Sequence, residues 1–167
     1  SALVSNSLTT REVVFDCYTI GTGSSTAGGN WGRLKVEMAT PGSGSPFYIT
    51  YQSGSNGIDF QQIGASTLTT ATVCDGKWHH YAFAIKADDP NNRLIANTYV
   101  DGVHNNTNYY TGVASFGNIP TAMAGTIGAL AASDTLADTA YRGYGKLSGA
   151  LDDFRFWKTE RTAEQIG

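Results

Sequence analysis

The sequence predicts an all-β fold, an antiparallel sandwich of two sheets that ends in one short helical turn. Glycine accounts for 20 of the 167 residues and only 15% of the residues are charged, a composition typical of short strands joined by tight turns. Several segments alternate apolar and polar side chains, which is the period of a strand with one buried face. Asp101-Gly102, between Val100 and Val103, is a strong hairpin signal because a type I′ turn needs positive φ at both central residues.

In the N-terminal half, alternation and turn residues predict five strands. They are residues 12–20, 34–38, 47–51, 58–63 and the threonine-rich 68–73. The second is the clearest: Leu34, Val36 and Met38 are expected to face inward, and Lys35 and Glu37 to face water. A family resemblance carried by later segments implies a still earlier strand: either residues 2–4 are its remnant, or that strand lies outside this chain.

The middle of the chain predicts three consecutive strands. Residues 78–85 alternate with both faces largely apolar, so we expect an inner strand that carries Trp78 in the middle of its sheet. The polar segment 87–93 is rich in turn residues and should reverse the chain. Residues 94–100 then form the antiparallel return, which leads into the turn at Asp101-Gly102.

The C-terminal part is less regular. Residues 104–111 show no clear period, residues 126–130 predict a short strand, and residues 131–145 predict a long loop. Loops of that length are uncommon unless they bind something or cover an edge. Residues 147–157 predict the last strand, and the capping box Thr162-Ala-Glu-Gln165 predicts the closing helical turn.

Four segments carry a family resemblance: Asp-Gly-Lys-Trp-His-His (75–80), Tyr-Val-Asp-Gly (99–102), Thr-Ile-Gly-Ala (126–129) and Leu-Ser-Gly-Ala-Leu-Asp-Asp-Phe-Arg-Phe-Trp (147–157). They resemble the successive landmarks of laminin-G-like jelly rolls in the concanavalin A-like lectin/glucanase superfamily, to which pentraxins are related. The resemblance implies a jelly-roll sandwich, but such a fold says little about its ligand. The expected inward residues include Phe15, Val36, Ile49, Tyr81, Phe83, Val100, Phe154 and Phe156.

Length and charge limit the classes of protein. A chain of 167 residues suits one domain, residues 1–167, and because it starts at Ser1 rather than Met we expect it to be part of a longer chain. The net charge of -3 and the lack of a Lys/Arg cluster argue against nucleic acid and anionic membrane surfaces as partners. No apolar run approaches the length of a transmembrane helix, so membrane insertion is not expected.

One disulfide between Cys17 and Cys74 is an alternative, but the sequence does not show whether their Cα atoms come within bonding range. A domain of this size does not require the bond. In pentraxins an early strand is joined to the strand that bears tryptophan. Cys74 precedes that strand here, so the resemblance does not carry the pairing over. We favour two buried free thiols.

Catalysis is not expected. His79 and His80 are adjacent in a predicted strand and point to opposite faces, so they cannot share one metal ion; a packed or hydrogen-bonded histidine beside Trp78 is the favoured interpretation. A glucanase of the superfamily needs two carboxylates across the glycosidic bond, and the usual Glu-x-Asp-x-x-Glu strand is missing. Two closely facing carboxylates in an open groove would revive the enzyme hypothesis.

One structural calcium ion is the hypothesis for a cofactor, because calcium needs only several oxygens from loops. Pentraxins carry an acidic run after their Ile/Leu-Gly landmark, whereas residues 129–132 here are Ala-Leu-Ala-Ala, so that double site is absent. The remaining candidate ligands are Asp134, Asp138, Asp152 and Asp153. Alternatively, Asp152 or Asp153 holds backbone amides or pairs with Arg155.

Aromatic side chains outside the clear strands suggest sugar binding, since flat amphipathic rings stack on a pyranose and amide groups hydrogen-bond to it. The candidate residues are Trp31, Asn105, Tyr109, Tyr110, Tyr141 and Tyr144. The alternative for each tyrosine is that it covers core at the end of the sandwich.

We therefore favour a non-catalytic recognition module that binds a glycan or cell-surface polysaccharide and belongs to a larger extracellular or virion surface protein. Residues 154–167 resemble the tails of such domains in bacteriophage structural proteins. The alternative is an assembly or decoration module of a phage capsid, tail or fibre, which contacts only other protein subunits.

Overall fold

The computed structural model of the chain describes residues 2–4, 11–20, 31–54, 56–113, 122–131 and 144–166. Its strands are β1 (Ala2–Val4), β2 (Glu12–Thr19), β3 (Gly32–Met38), β4 (Phe47–Ser53), β5 (Asn56–Gln62), β6 (Tyr81–Asp88), β7 (Arg93–Val100), β8 (Val103–Thr111), β9 (Met123–Ile127) and β10 (Gly149–Leu151). Its helices are α1 (Thr70–Val73), α2 (Ala163–Ile166) and a single 3-10 turn at Asp89–Asn91.

The strands form two main antiparallel sheets, which confirms the predicted all-β sandwich. The wider sheet has five strands in the order β5-β4-β3-β2-β9, and the narrower sheet has three in the order β6-β7-β8. β1 pairs with β10 in a separate two-stranded ladder. Residues 2–4 are therefore the early strand, the first of the two alternatives left open by the sequence.

The core lies between the inner faces of the two sheets. Ile49 of β4 and Leu94 of β7 are completely buried, and the Phe47 ring packs against Tyr81 and Phe83 of the opposite sheet at centroid distances of 4.9 and 5.1 Å. Of the residues expected to face inward, Val36 and Ile49 are buried, and Tyr81, Phe83 and Val100 pack against the same cluster. Burial of this apolar surface supplies most of the stabilisation, at about 25 cal/mol per Å².

Both predicted hairpins of the central region form. Asp101 and Gly102 have φ of 50° and 77°, as the type I′ turn between β7 and β8 requires. The polar segment before β7 contains the 3-10 turn, which Asn92 ends in the left-handed conformation at φ 48°. The strand pair predicted around residues 53–57 is also confirmed, as β4 and β5.

The polar face of β3 contradicts the sequence prediction. Lys35 and Glu37, expected in water, are each 1% exposed. Lys35 Nζ lies 2.6 Å from Glu37 Oε2, and the other Glu37 carboxylate oxygen accepts from Arg11 Nε. On the same face Arg33 forms a bidentate pair with Asp16, at 2.9 and 2.8 Å. β3 is thus buried on both faces, and its charges are tolerated because they are paired.

Residues 68–73, predicted as a strand, instead contain the helical turn α1. The Thr69 hydroxyl accepts from Thr72 N–H at 3.4 Å, and the Thr72 hydroxyl lies 2.9 Å from Thr69 N. This capping box satisfies amides that a helix start leaves unpaired, which outweighs the strand preference of threonine.

Trp78 does not lie in the middle of a sheet as predicted. It precedes β6 and is about half exposed, and in the described part of the narrower sheet β6 is an edge strand. The physical reason is a bend before it: Asp75 Oδ1 accepts from Lys77 N–H at 2.9 Å, and Gly76 has φ 79°. The extended conformation therefore begins later than the alternation suggested.

The C-terminal strand is shorter than predicted. Only residues 149–151 of the expected 147–157 are in a strand, because that part pairs with β1. Phe154 and Phe156, expected to be buried, are 42% and 54% exposed, although their rings pack against Phe15 at 5.0 and 5.7 Å. The closing turn α2 is confirmed, with Thr162 N–H donating to Gln165 Oε1 at 3.2 Å. Residues 132–143 of the predicted long loop lie outside the described residues.

The two cysteines are separate buried thiols, which confirms the favoured interpretation. Burial raises the pKa of Cys17 to about 11 and also raises that of Cys74, because a thiolate would lose its hydration. Each thiol behaves as a small apolar group in the core.

Candidate functional site

The side of the narrower sheet that points away from the core carries a polar and aromatic surface, which we call the outer face. Alternate residues of β7 are buried in the core, so the residues between them must point to the other side of the sheet. β8 adds the side chains that lie opposite them in register. The outer face is defined by Arg93, Asn97, His104, Thr107 and Tyr109.

Tyr109 is the exposed aromatic ring of the outer face. It is 55% exposed, and the Arg93 guanidinium carbon lies 4.6 Å from its ring centroid. Arg93 Nε in turn lies 2.6 Å from Asp88 Oδ2. Hydrogen bonds from Asn91 and Arg93 hold the pKa of Asp88 below its usual value, so the carboxylate stays charged. Asp88 thus fixes Arg93, which supports one side of the ring and leaves the other side toward solvent.

A row of polar side chains continues from Tyr109 along the sheet. The Thr107 hydroxyl donates to Asn97 Oδ1 at 2.7 Å, and His104 Nε2 lies 3.0 Å from the same hydroxyl. His104 also packs edge-on against Tyr99, with ring centroids 5.4 Å apart. These contacts fix the row before any ligand arrives, which lowers the entropy cost of binding.

Most of the outer face was not predicted from the sequence, because a β-bulge in β8 interrupts the alternation of its side chains. Tyr99 pairs with His104 but Thr98 pairs with Asn106, so Asn105 is an extra residue in β8. Because of the extra residue, an even-numbered residue before the bulge, His104, faces the same side as the odd-numbered Thr107 and Tyr109 after it. Allowing one inserted residue in 104–111 would have restored the alternation.

A second cluster lies at the turn between β7 and β8, around His79. Asp101 Oδ2 is 2.9 Å from His79 Nδ1, and Asp75 Oδ1 is 3.2 Å from Nε2. The hydrogen bond to Asp101, with a smaller one to Asp75, raises the pKa of His79. The other Asp101 oxygen accepts from His80 N–H at 2.8 Å. The cluster ties the bend before β6 to the hairpin, in agreement with the hydrogen-bonded histidine favoured from the sequence; Asp75 and Asp101 were not anticipated as its partners.

The family model described as the concanavalin A-like lectin/glucanases superfamily, of laminin-G type, matches residues 23–167. The chain belongs to this superfamily. Laminin-G-like domains are generally non-catalytic binding modules that bind carbohydrates or proteins, and they are typically extracellular. Comparison with curated proteins found no match, and comparison with solved structures found none.

The two glutamates in the strands of the wider sheet, Glu12 of β2 and Glu37 of β3, have structural partners. Glu12 Oε2 accepts from Ser148 N–H at 2.8 Å, and Glu37 is bound by Lys35 and Arg11. Both glutamates are buried, so neither faces an open groove. No helix among the described residues has the length and apolar character needed to cross a membrane.

Only part of the predicted sugar-binding set is exposed. Trp31 is 1% exposed, which corrects its assignment to a surface loop: it comes directly before β3, and its carbonyl accepts from Gly54 N–H at 2.6 Å. Tyr144 is 62% exposed but lies beside the wider sheet, since its carbonyl accepts from Leu130 just after β9. Tyr109 and Tyr144 are therefore not brought together, and Tyr141 lies outside the described residues.

Asn105 and Tyr110 already form hydrogen bonds within the domain. Asn105 Oδ1 accepts from Ala65 N–H at 2.8 Å, and the Tyr110 hydroxyl donates to the Gln62 carbonyl at 2.6 Å. Burial raises the pKa of Tyr110 to about 12. Asn108 adds a bond from Gly64 N–H at 2.9 Å. These side chains of β8 connect the narrower sheet to the segment that follows β5.

The candidate calcium ligands that the structure describes have other partners. Asp152 Oδ1 accepts from Asp153 N–H at 2.9 Å, and both Asp153 oxygens pair with Arg155 at 2.9 Å. These are the alternative roles expected from the sequence. Asp134 and Asp138 lie outside the described residues, and among those described no group of three acidic, His or Cys side chains is placed to hold a metal. A calcium site at this loop stays a prediction.

Proposed function

We propose that this laminin-G-like domain is a non-catalytic carbohydrate-recognition module of an extracellular or virion surface protein, and that the outer face is its binding surface. The observation that supports this most is Tyr109, a half-exposed ring held in place by Arg93 from one side. A ring presented in this way can stack on a pyranose, and the adjacent polar row can hydrogen-bond to sugar hydroxyls.

The charge of the outer face narrows the class of glycan. Arg93 is paired with Asp88, and the row beyond it consists of His104, Thr107 and Asn97. Neutral hydroxyl and amide groups predominate, and the Glu160 carboxylate, which accepts from Asn97 at 3.3 Å, borders the row, so a neutral polysaccharide is the expected ligand.

The test is a glycan array probed with and without calcium, followed by titration of the best ligand. Tyr109→Ala is expected to weaken binding about tenfold, a loss of ~1.4 kcal/mol, because the stacking surface is removed. Tyr144→Ala is the matched control, an equally exposed tyrosine beside the other sheet, and should bind as the unmodified protein does. Equal losses in both variants, or none in either, would remove the outer face from consideration.

An assembly module is the second candidate, and one observation favours it. Trp78 and Val103 are exposed apolar residues, and each is within two positions along the chain of a partner in the contact between His79 and Asp101. Exposed apolar residues close to one another are typical of protein contacts. No array binding above background with or without calcium, together with self-association or co-purification of a larger assembly that Trp78→Ser abolishes, would favour this function over the first.

A further inference from the structure

The two sheets do not cover each other completely, and a cavity of about 530 Å³ lies between them. Among the described residues the wider sheet has two more strands than the narrower one, and none of those strands lies opposite its inner face near β2 and β9. The segment after β10 covers it instead, with Phe154 and Phe156 against Phe15. The cavity walls include Phe15, Met38, Phe47, Phe83, Phe154 and Phe156.

The cavity reaches the surface along the edge formed by β9, β6 and the C-terminal segment. Met123, Phe156 and Trp157 line it and are each roughly half exposed. An apolar ligand that binds in such a concave site removes these apolar side chains from water, which is favourable. Polar side chains such as Gln52, His80 and Arg161 also line the cavity, but apolar surface predominates on its walls.

Two buried polar atoms of the cavity walls have no hydrogen-bond partner among the described residues, the Tyr81 hydroxyl and Arg161 Nε. The Arg161 guanidinium carbon lies 4.0 Å from the centroid of the Trp157 ring. Four nearby charged side chains form two pairs, Arg155 with Asp153 at 2.9 Å and Lys86 with Glu160 at 3.3 Å, and Asp152 and Lys158 also line the cavity. A buried donor on a cation beside the opening fits an anionic acceptor.

We propose that this cavity binds an unbranched alkyl chain with an anionic head group, such as a fatty acid. The chain lies against the phenylalanine walls between the sheets, and the carboxylate accepts from Arg161. A volume of about 530 Å³ is within the range of ligand pockets for small molecules. The cavity adjoins the outer face at Glu160, which lines the cavity and accepts from Asn97 Nδ2 at 3.3 Å, but alkyl binding in it does not depend on glycan recognition.

The test is direct titration with sodium dodecanoate, kept below its micelle concentration and in the absence of any glycan. Each added methylene from octanoate to dodecanoate is expected to increase affinity about fourfold, the factor that corresponds to burial of one CH2 group. Affinity that does not change with chain length would overturn the proposal, as would a lack of saturable binding.

Two variants locate the ligand. Leu34 lines the cavity, so Leu34→Trp should fill it and abolish binding of both dodecanoate and dodecanol. Arg161→Gln should weaken dodecanoate binding about tenfold and leave dodecanol binding unchanged, because only the acid carries the charge that Arg161 pairs with. Lys77→Gln removes an exposed cation that does not line the cavity and is the control. If Leu34→Trp does not fold, the Arg161→Gln comparison decides alone: losses equal to those of Lys77→Gln would contradict the assignment.

Discussion

His79 is the side chain whose charge state most directly affects the structure. Both of its ring nitrogens face carboxylate oxygens, Asp101 at 2.9 Å and Asp75 at 3.2 Å, so the doubly protonated imidazolium satisfies both. Asp101 lies in a tight hairpin turn, and the turn geometry positions its carboxylate next to His79. The same residue that allows the turn therefore also holds the bend that precedes β6.

The raised pKa of His79 makes this contact pH-dependent. Its contribution to stability is fully present below the unfolded pKa of about 6.5 and is lost as pH rises through the folded value, which lies higher. We expect His79→Gln to lower the free energy of unfolding by up to about 1 kcal/mol at pH 5.5, a limit set by the exposure of Asp101. The loss should be smaller at pH 8.5, because less of the imidazole is then protonated. Urea unfolding across this range measures the difference.

His104→Gln is the control for that experiment, because His104 contacts a threonine hydroxyl rather than carboxylates. A difference between wild type and His79→Gln that grows with rising pH would contradict the assignment.

At the scale of the strand, β3 shows why alternation alone misjudged burial. Its pattern of Leu34, Val36 and Met38 with Lys35 and Glu37 between them is that of a strand with one wet face. The structure buries both faces because neighbouring strands supply partners: Asp16 of β2 for Arg33, and Arg11, just before β2, for Glu37. The alternation within a five-residue segment does not show which partners other parts of the chain supply.

The Asp16 and Arg33 pair gives a test of burial at constant geometry. Its side chains are 0% and 1% exposed, whereas the Asp153 and Arg155 pair has the same bidentate form with both partners more than half exposed. Arg33→Met should lower the free energy of unfolding by roughly 3–5 kcal/mol, because Asp16 is left charged and buried. Arg155→Met should cost less than about 1 kcal/mol. Guanidinium unfolding of both variants measures the two values.

Replacing both partners, as Asp16→Leu with Arg33→Met, should recover much of the loss, since no unpaired charge remains. A double variant that is less stable than Arg33→Met would show that the Asp16 bond to Ala131 N–H, at 2.8 Å, matters more than the ion pair.

At the scale of the whole molecule, the sandwich depends on packing and not on a covalent link between its sheets. Cys17 lies on the wider sheet and Cys74 just before the bend that leads to the narrower one, and each is a buried free thiol. Folding therefore has no oxidative step among these residues, and the thiols report on opening of the core.

We expect both thiols to react slowly with a polar disulfide reagent at pH 8 in the native protein and at once in guanidinium. Burial restricts access, and the raised pKa of Cys17, about 11, keeps it protonated. Two thiols should be counted after unfolding without reductant. A count of zero would mean that the cysteines form a disulfide.

The sequence predicted well wherever a few neighbouring residues decide the structure. The turn at Asp101-Gly102, the pair β4 and β5, and the closing helical turn depend on local φ preferences and capping, and all are confirmed. It failed where distant contacts decide. Trp31 is buried and Asn105 is bonded to Ala65, and nothing within a few residues of either indicates this. Tyr109 was expected outside the clear strands, but it lies in β8, and its support by Arg93 requires the pairing of β7 with β8.

The side chains of β8 that hold the segment after β5 make the two long edges of the sandwich unlike. Along one edge, Asn105, Asn108 and Tyr110 join the sheets through hydrogen bonds. Along the other, aromatic packing by Phe154 and Phe156 covers the gap, and among the described residues the exposed Glu160 carboxylate links the C-terminal segment to Lys86 and Asn97 of the narrower sheet, each at 3.3 Å. The sandwich should therefore open locally more often at the edge closed by aromatic packing than at the edge joined by β8. Amides of β9 and of the residues after β10 should exchange with deuterium before those of β5 and β8.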